Sequence, residues 1–430
     1  MRGCCLSART IAATNSGRRS NPAPTKPTRA AHALPTLSSR AVETRETLLA
    51  RFDAVTEREL RSRKSAKWRH YPSDVLPAWV AEMDLPLAEP IKRVLSEALE
   101  ADDTGYAYPE GVGEAFLAFS ERRYGYTFAP RDVKVAPDVV TAITEILHVS
   151  TEPGDPVVID PPVYPPFAGT VRTLKRKLLE APLVRHGERF VLDLDAIRRA
   201  YAAGARVHVL CSPHNPTGTV HDAASLTALA ELADAHGVLV IADEIHAPLT
   251  LEGATHRPFV SLGDAAARRG IVLQSASKAW NLAGLKAAVM LAVHDETRTV
   301  LARLPPELPY HAGHFGVLAT KAAFLDGETW LDAVRAHLDR NRRRLGELLG
   351  ARVPRVRYRA PEAGYLAWLD FRELGLGADP AKRILERGRL ALSPGPTFGT
   401  GGEGFARLNF ATSEALLIEA VARIARAVEG

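Results

Sequence analysis

The chain has 430 residues, 46% hydrophobic and 24% charged, the balance of an ordinary globular protein long enough for two domains. Its +5 net charge is concentrated at one end: residues 1–42 hold seven basic residues and no acid, leaving 48 basic against 50 acidic residues elsewhere. A body so near neutrality argues against a nucleic-acid partner, and no apolar run approaches the ~18 residues of a membrane span.

The first 42 residues are rich in Ser, Thr, Pro, Ala and Arg, a composition that predicts disorder. An acid-poor, Arg- and Ser-rich start resembles an organelle transit peptide. An over-extended gene start is the preferred reading, because the Arg- and Ala-rich body points to a high-GC genome. Cys4 and Cys5 lie in this stretch and Cys211 in a candidate strand, so the body offers no disulfide framework. A reducing compartment, the cytoplasm, is expected.

Residues 44–63 show a helical pattern, followed by a polar arm with Trp and Pro to about residue 90. Residues 91–101 and 111–124 read as amphipathic helices around the Gly105-Tyr106 loop. Pro137-Asp138-Val139-Val140 opens a helix with apolar Val139, Val140, Ile143 and Leu147. Short apolar runs at 157–160, 207–211, 238–242, 271–274 and 287–292 are strand candidates, with helices at 226–236 and 264–269 between them. Such alternation implies βαβ units and a mainly parallel sheet. After Pro309 come helices at 316–324 and 330–349, strands near 365–370 and 407–410, and a last helix at 413–428, the pattern of a smaller α+β domain. The expected fold class is therefore α/β. A large domain of mixed, mainly parallel sheet spans residues 91–315, and a smaller α+β domain is built from 43–90 and 316–430.

Lysine is scarce, at 11 residues against 44 arginines, and only Lys278 and Lys286 fall between residues 178 and 320. Lys278 stands in Ser275-Ala-Ser277-Lys278, just after an apolar run. A strand-end lysine between small hydroxyls is the arrangement that holds an aldehyde cofactor as a Schiff base beside a phosphate, although most such lysines are solvated surface charges. Two other apolar runs end in Asn215-Pro216-Thr217-Gly218 and in Asp243-Glu-Ile-His246. Ligands of open α/β sheets sit beyond the carboxyl ends of the strands. Asn215, Asp243 and Lys278 can thus converge on one ligand.

With these motifs in this order, and a late arginine, the chain resembles the fold-type I pyridoxal-phosphate (PLP) enzymes of the aminotransferase class I/II superfamily. It is most similar to the MalY/PatB-type cystathionine β-lyase branch. The matching segments include Lys67-Trp68, Leu76-Pro-Ala-Trp79-Val-Ala-Glu-Met83-Asp84, Gly105-Tyr106, Tyr365-Leu-Ala-Trp-Leu-Asp370 and Gly404-Phe-Ala-Arg407-Leu-Asn409. They span residues 50 to 430. The resemblance implies a homodimer with active sites at the subunit interface, PLP as cofactor, a small amino-acid substrate, and no metal.

It also implies roles. Lys278 would bind PLP covalently and shuttle the proton at the substrate Cα. Asp243 would pair with the pyridine nitrogen, or else cap a helix. Asn215 would donate to the ring oxygen and help bind substrate, or else only form a turn. His246 would sit near that oxygen, or else face solvent. Tyr164 would stack on the ring, or else pack in its proline-rich loop. Val139 and Asp138 would bring helix amides to the phosphate, with Ser275, Ser277, Lys286 and, from the neighbouring subunit, Tyr106. Arg407 would clamp the substrate carboxylate, or else form a structural salt bridge. Trp68, Trp79, Met83, Asp84 and Tyr365 would shape the entrance, or else only pack.

Several positions depart from the pattern. Asp138 stands where Gly or Ser is usual and Lys286 where Arg is common. Glu82 and Leu85 replace Asp and Phe, and Gly364 replaces Thr. The activity implied is C–S β-elimination on cysteine conjugates such as L-cystathionine, within amino-acid metabolism and methionine biosynthesis. An aminotransferase is the alternative, and a non-enzymatic regulator on a PLP fold the third reading.

Overall fold

The computed structural model describes residues 43–429, which belong to one compact unit. The expectations for residues 1–42 lie outside the described residues. Two sheets organise the rest. The larger has seven strands: β1 (Val133–Ala136), β2 (Pro156–Ile159), β3 (Lys177–Glu180), β4 (Val207–Cys211), β5 (Leu239–Asp243), β6 (Gly270–Gln274) and β7 (Ala288–Leu291). Their order is β1-β7-β6-β5-β4-β2-β3, and every pairing is parallel except the two made by β7. This is the mainly parallel mixed sheet that the alternating pattern predicts.

Both faces of the sheet are buried, as a parallel sheet requires. On β4, Val207, Val209 and Cys211 pack in one apolar cluster with the helix Val139–Ser150, while Leu210 faces the other cluster. His208 interrupts that run at zero exposure. It is accommodated because Tyr201 Oη and Asp160 Oδ2 lie 2.8 and 2.7 Å from its two ring nitrogens. The edge strand β3 and the strand β1 escape the sequence reading. β3 places two half-buried leucines between an exposed Lys177 and an exposed Glu180, and in β1 Lys134 interrupts the apolar run.

The second sheet has four antiparallel strands: β8 (Arg357–Tyr358), β9 (Leu366–Asp370), β10 (Ser393–Pro394) and β11 (Phe405–Asn409), in the order β8-β9-β11-β10. Helices Glu328–Arg352 and Glu414–Glu429 pack together nearby. The arm before residue 90 joins this region, since Leu76–Pro77 pairs in parallel with Leu390–Ala391. The helical pattern at 44–63 resolves into two helices, Arg45–Asp53 and Glu57–Leu60, separated where Thr56 opens a new capping box with Glu59. Among the described residues, no helix is long and apolar enough to cross a membrane.

Candidate active site

The carboxyl ends of β4, β5 and β6 lie side by side, with Cys211 in register with Asp243 and Asp243 with Leu273. Beyond them opens a cavity of about 490 Å³. Its wall contains Asn215, Asp243, His246, Ser275, Ser277, Lys278, Tyr164, Asp138, Val139, Lys286 and Arg407. Every residue named from the sequence as binding cofactor or substrate is therefore in one place except Tyr106, which lies outside the cavity wall and is 89% exposed on the single chain.

Local structure explains how each group arrives. Ser275 caps the short helix Ala276–Ala279, accepting from Ser277 N–H, and this turn carries Lys278 into the cavity. Ser275 Oγ also donates to Ala287 O at 2.6 Å. Its single proton is thus committed, and Ser277 is the hydroxyl left facing the cavity. Asp138 caps the helix Val139–Ser150 through Thr141 N–H at 2.8 Å. Its second oxygen meets Lys286 Nζ at 2.9 Å, so the carboxylate does more than cap the helix. Burial pushes the Asp138 carboxyl up, but Thr141 and Lys286 outweigh it and hold it below the usual range.

The electrostatics of the cavity are set by burial. Lys278 Nζ donates to Ala81 O at 3.2 Å. Burial, then the Arg407 cation, lowers its amine to about 8, against the pull of Asp243. Burial raises the Asp243 carboxyl to about 7, opposed by the Ile245 N–H and Lys278. Burial and both cations lower His246 to about 3, so its ring is neutral. His246 Nδ1 has no hydrogen-bond partner, and a Cβ at Gly364 would come within 3.3 Å of it. Burial raises Tyr164, and Asp243 adds to the shift.

Arg407 is 6% exposed and pairs with no carboxylate among the described residues, so the structural salt bridge is absent. Its guanidinium donates to Asn215 Oδ1 (2.9 Å), Trp79 O (3.0 Å) and Ser393 Oγ (3.1 Å), while Nε has no partner. Burial lowers it to about 10. A buried, unpaired guanidinium is costly, and such groups concentrate where an anionic ligand completes them.

Residues 87–424 match the family described as aminotransferase class I and II. A Mycobacterium tuberculosis protein named "Putative cystathionine beta-lyase" is 43% identical over 403 residues, covering 87% of this chain and 98% of its own. Cystathionine beta-lyase PatB of Bacillus subtilis is 35% identical, covering 83% and 93%. A solved Corynebacterium diphtheriae structure, described as a PLP-dependent beta-cystathionase of putative assignment, superposes with a TM-score of 0.83 at 33% identity, covering 87% and 98%. The chain belongs to the aminotransferase class I and II family.

The residues present fit the family's pyridoxal phosphate. A lysine with a lowered amine pKa, a buried carboxylate one strand away, an aromatic ring on the wall and a helix amino end face one cavity. The entrance group needs correcting. Trp68, Met83, Asp84 and Tyr365 are all under 5% exposed and do not line the cavity. Asp84 instead holds Lys67 Nζ at 2.8 Å and Trp68 Nε1 at 3.0 Å. What the sequence reading missed is the carbonyl of Ala81, which receives both Lys278 and the Tyr365 hydroxyl (3.0 Å). An alanine carbonyl carries no residue-type signal; only the position of Ala81 inside the matching arm segment could have pointed to it.

Proposed function

We propose that the protein is a PLP-dependent C–S β-lyase that cleaves L-cystathionine or a related cysteine thioether to a thiol, pyruvate and ammonia. The observation that carries this reading is the convergence, in one cavity, of Lys278, Asp243 and the unpaired Arg407. The names of the relatives at 35–43% identity favour elimination over transamination. When bound, the pyridoxal ring supplies an electron sink for the pair left at Cα.

The chain's own groups do the rest. Arg407 holds the substrate carboxylate through its free N–H groups. Lys278 Nζ, neutral near and above its lowered pKa, takes the Cα proton. Asp243, on the wall of the cavity, would pair with the ring nitrogen and favour its protonated form. Asn215, fixed by Arg407 at its Oδ1, has its NH₂ free and would donate to the ring oxygen. His246 lies beside them as a neutral ring. Tyr164 would cover the ring face. The helix amides at Val139 and Val140, with Ser277 and Lys286, would hold the phosphate. Loss of the Cα proton drives out the β-thiolate, and water completes the release of pyruvate and ammonia.

The reading extends to assembly and place. Tyr106 and its exposed neighbour Tyr108 (65%) fit a face covered by a second copy, with Tyr106 reaching the partner's phosphate site. The protein is assigned to the cytoplasm and to methionine biosynthesis, and the domain boundaries near residues 90 and 315 belong to the same reading. An aminotransferase remains the second reading, supported by a 36% match over 185 residues, 42% of this chain, to an M. tuberculosis protein named "Probable N-succinyldiaminopimelate aminotransferase DapC". The retained Lys278, Asp243, Asn215 and Arg407 weigh against a purely regulatory protein.

One assay separates the two enzymes. Purified protein is mixed with L-cystathionine with and without a 2-oxo acid, and pyruvate and free thiol are followed. A lyase forms pyruvate over many turnovers with no 2-oxo acid added. A single turnover that resumes only when the 2-oxo acid arrives would identify an aminotransferase.

A further inference from the structure

Residues 79–83 carry no catalytic side chain, yet each of their five carbonyls accepts a hydrogen bond from a side chain. Trp79 O takes Arg407 Nη2 (3.0 Å) and Ser393 Oγ (2.5 Å). Ala81 O takes Lys278 Nζ (3.2 Å) and Tyr365 Oη (3.0 Å). Met83 O takes Asn281 Nδ2 at 3.0 Å. The two carbonyls between these, Val80 O and Glu82 O, are both taken by one amide, Asn409 Nδ2, at 2.8 and 2.7 Å, and Glu82 O also accepts from Lys67 Nζ at 3.1 Å.

The backbone explains why this matters. Glu82 N–H donates to Val80 O at 2.9 Å, closing a γ-turn centred on Ala81. Asn409 therefore pins both ends of the turn whose apex carbonyl holds the lysine. Asn409 is itself fixed: it is 3% exposed, its Oδ1 accepts from Ala411 N–H (2.8 Å), and its own N–H donates to Ala78 O (2.9 Å). It also lies two residues after Arg407 on β11, so both side chains leave the same face of the strand. With both N–H groups of its amide spent, Asn409 has no proton left for a ligand.

We propose that Asn409 is a positioning residue that couples Lys278 to Arg407: by pinning the turn at Ala81 it fixes the two carbonyls on which the amine and the guanidinium rest. The inference rests on the proposed roles of Lys278 as the base and Arg407 as the carboxylate clamp. Without Asn409 the turn keeps its own Glu82 N–H bond and the Lys67 hold on Glu82 O, but Val80 O loses its side-chain donor, so Ala81 O shifts from the lysine and Trp79 O, two residues back, shifts under the arginine. The consequences have signs. An ammonium that loses its acceptor deprotonates more easily, so the Lys278 amine falls further. Removing only the Tyr365 hydroxyl leaves Ala81 O to the lysine alone, so the amine rises. Removing only the Ser393 hydroxyl touches the arginine.

The test uses two readings on the full chain. The first is the pH midpoint for capture of PLP by cofactor-free protein, followed by absorbance. The second is the dissociation constant of 3-(methylthio)propionate for the PLP-loaded protein, by calorimetry; this carboxylate has the thioether but no amine. Asn409→Ala should lower the midpoint by about half a pH unit and weaken the carboxylate by about fivefold, the scale of a lost hydrogen bond. Tyr365→Phe should raise the midpoint alone, and Ser393→Ala should weaken the carboxylate alone. A folded Asn409→Ala protein that changes one reading or neither would overturn the proposal. Should Asn409→Ala not fold, Asn409→Ser adds no charge and has one hydroxyl proton in place of the two amide donors, and the same two shifts are required of it. If that variant also fails to fold, the single-arm variants decide: either one without its shift overturns the coupling. A wild-type protein that never captures PLP would instead refute the proposed function.

Discussion

Replacing Arg407 by alanine is the most direct test of the carboxylate site. The guanidinium has five N–H groups, and three are spent on Asn215, Trp79 and Ser393. Two remain, one of them the buried and unpartnered Nε. An incoming carboxylate gains up to two charge-assisted hydrogen bonds in a site where the cation has already been desolvated. Truncating one partner of such a buried charge pair costs roughly 2–5 kcal/mol, which corresponds to a loss of about 30- to 5,000-fold in kcat/KM. Arg407→Lys keeps the charge and loses the fork, so its loss should fall below that of alanine without vanishing. The assay is steady-state pyruvate release from L-cystathionine, with melting temperatures to confirm folding. A folded Arg407→Ala enzyme within a few-fold of wild type would place the carboxylate elsewhere and leave the buried, unpaired arginine without a ligand to complete it.

Three other outcomes follow from the same site. Capture of PLP by cofactor-free protein should speed up as pH rises through about 8, because the neutral Lys278 amine is the attacking species, and Lys278→Ala should abolish the borohydride-fixed adduct; an adduct that survives in the variant would reassign the lysine. Burial raises Asp243 from 3.8 to about 7, so between those values the cofactor-free folded state keeps a proton that the unfolded chain has lost. Its stability should therefore fall as pH rises through that window, by at most about 4 kcal/mol. Asp243→Asn should flatten this fall and melt higher than wild type at pH 8, and parallel melting curves for the two proteins at pH 5 and pH 8 would contradict the shift. Finally, Tyr106→Phe and Lys278→Ala subunits, each severely impaired alone, should regain activity when mixed and exchanged. Verified heterodimers without recovery would mean that Tyr106 serves its own chain.

The sequence alone determined the strands that carry chemistry and the groups at their ends. The run at 207–211 reads as a buried strand because four of its five residues are apolar or small enough to pack in a sheet without polar partners, and it forms β4 with those bounds. The helix start at Asp138 is equally local, since the cap bond spans three residues. Lys278, Asp243, Asn215 and Arg407 were legible because each is a chemically distinctive side chain in a recognisable local motif. Tertiary structure decided what surrounds them. Nothing near Ala81 in sequence shows that its carbonyl receives a lysine 197 positions later and a tyrosine 284 positions later. Nothing near Asn409 shows that its amide bridges two carbonyls more than 300 positions earlier. Asp138 and Lys286 each looked like a departure, and only their 2.9 Å contact shows that the two charges neutralise one another. Local periodicity and side-chain type are properties of neighbouring residues. A backbone carbonyl is the same group at every position, so its use is set only when the folded chain brings a distant donor to it.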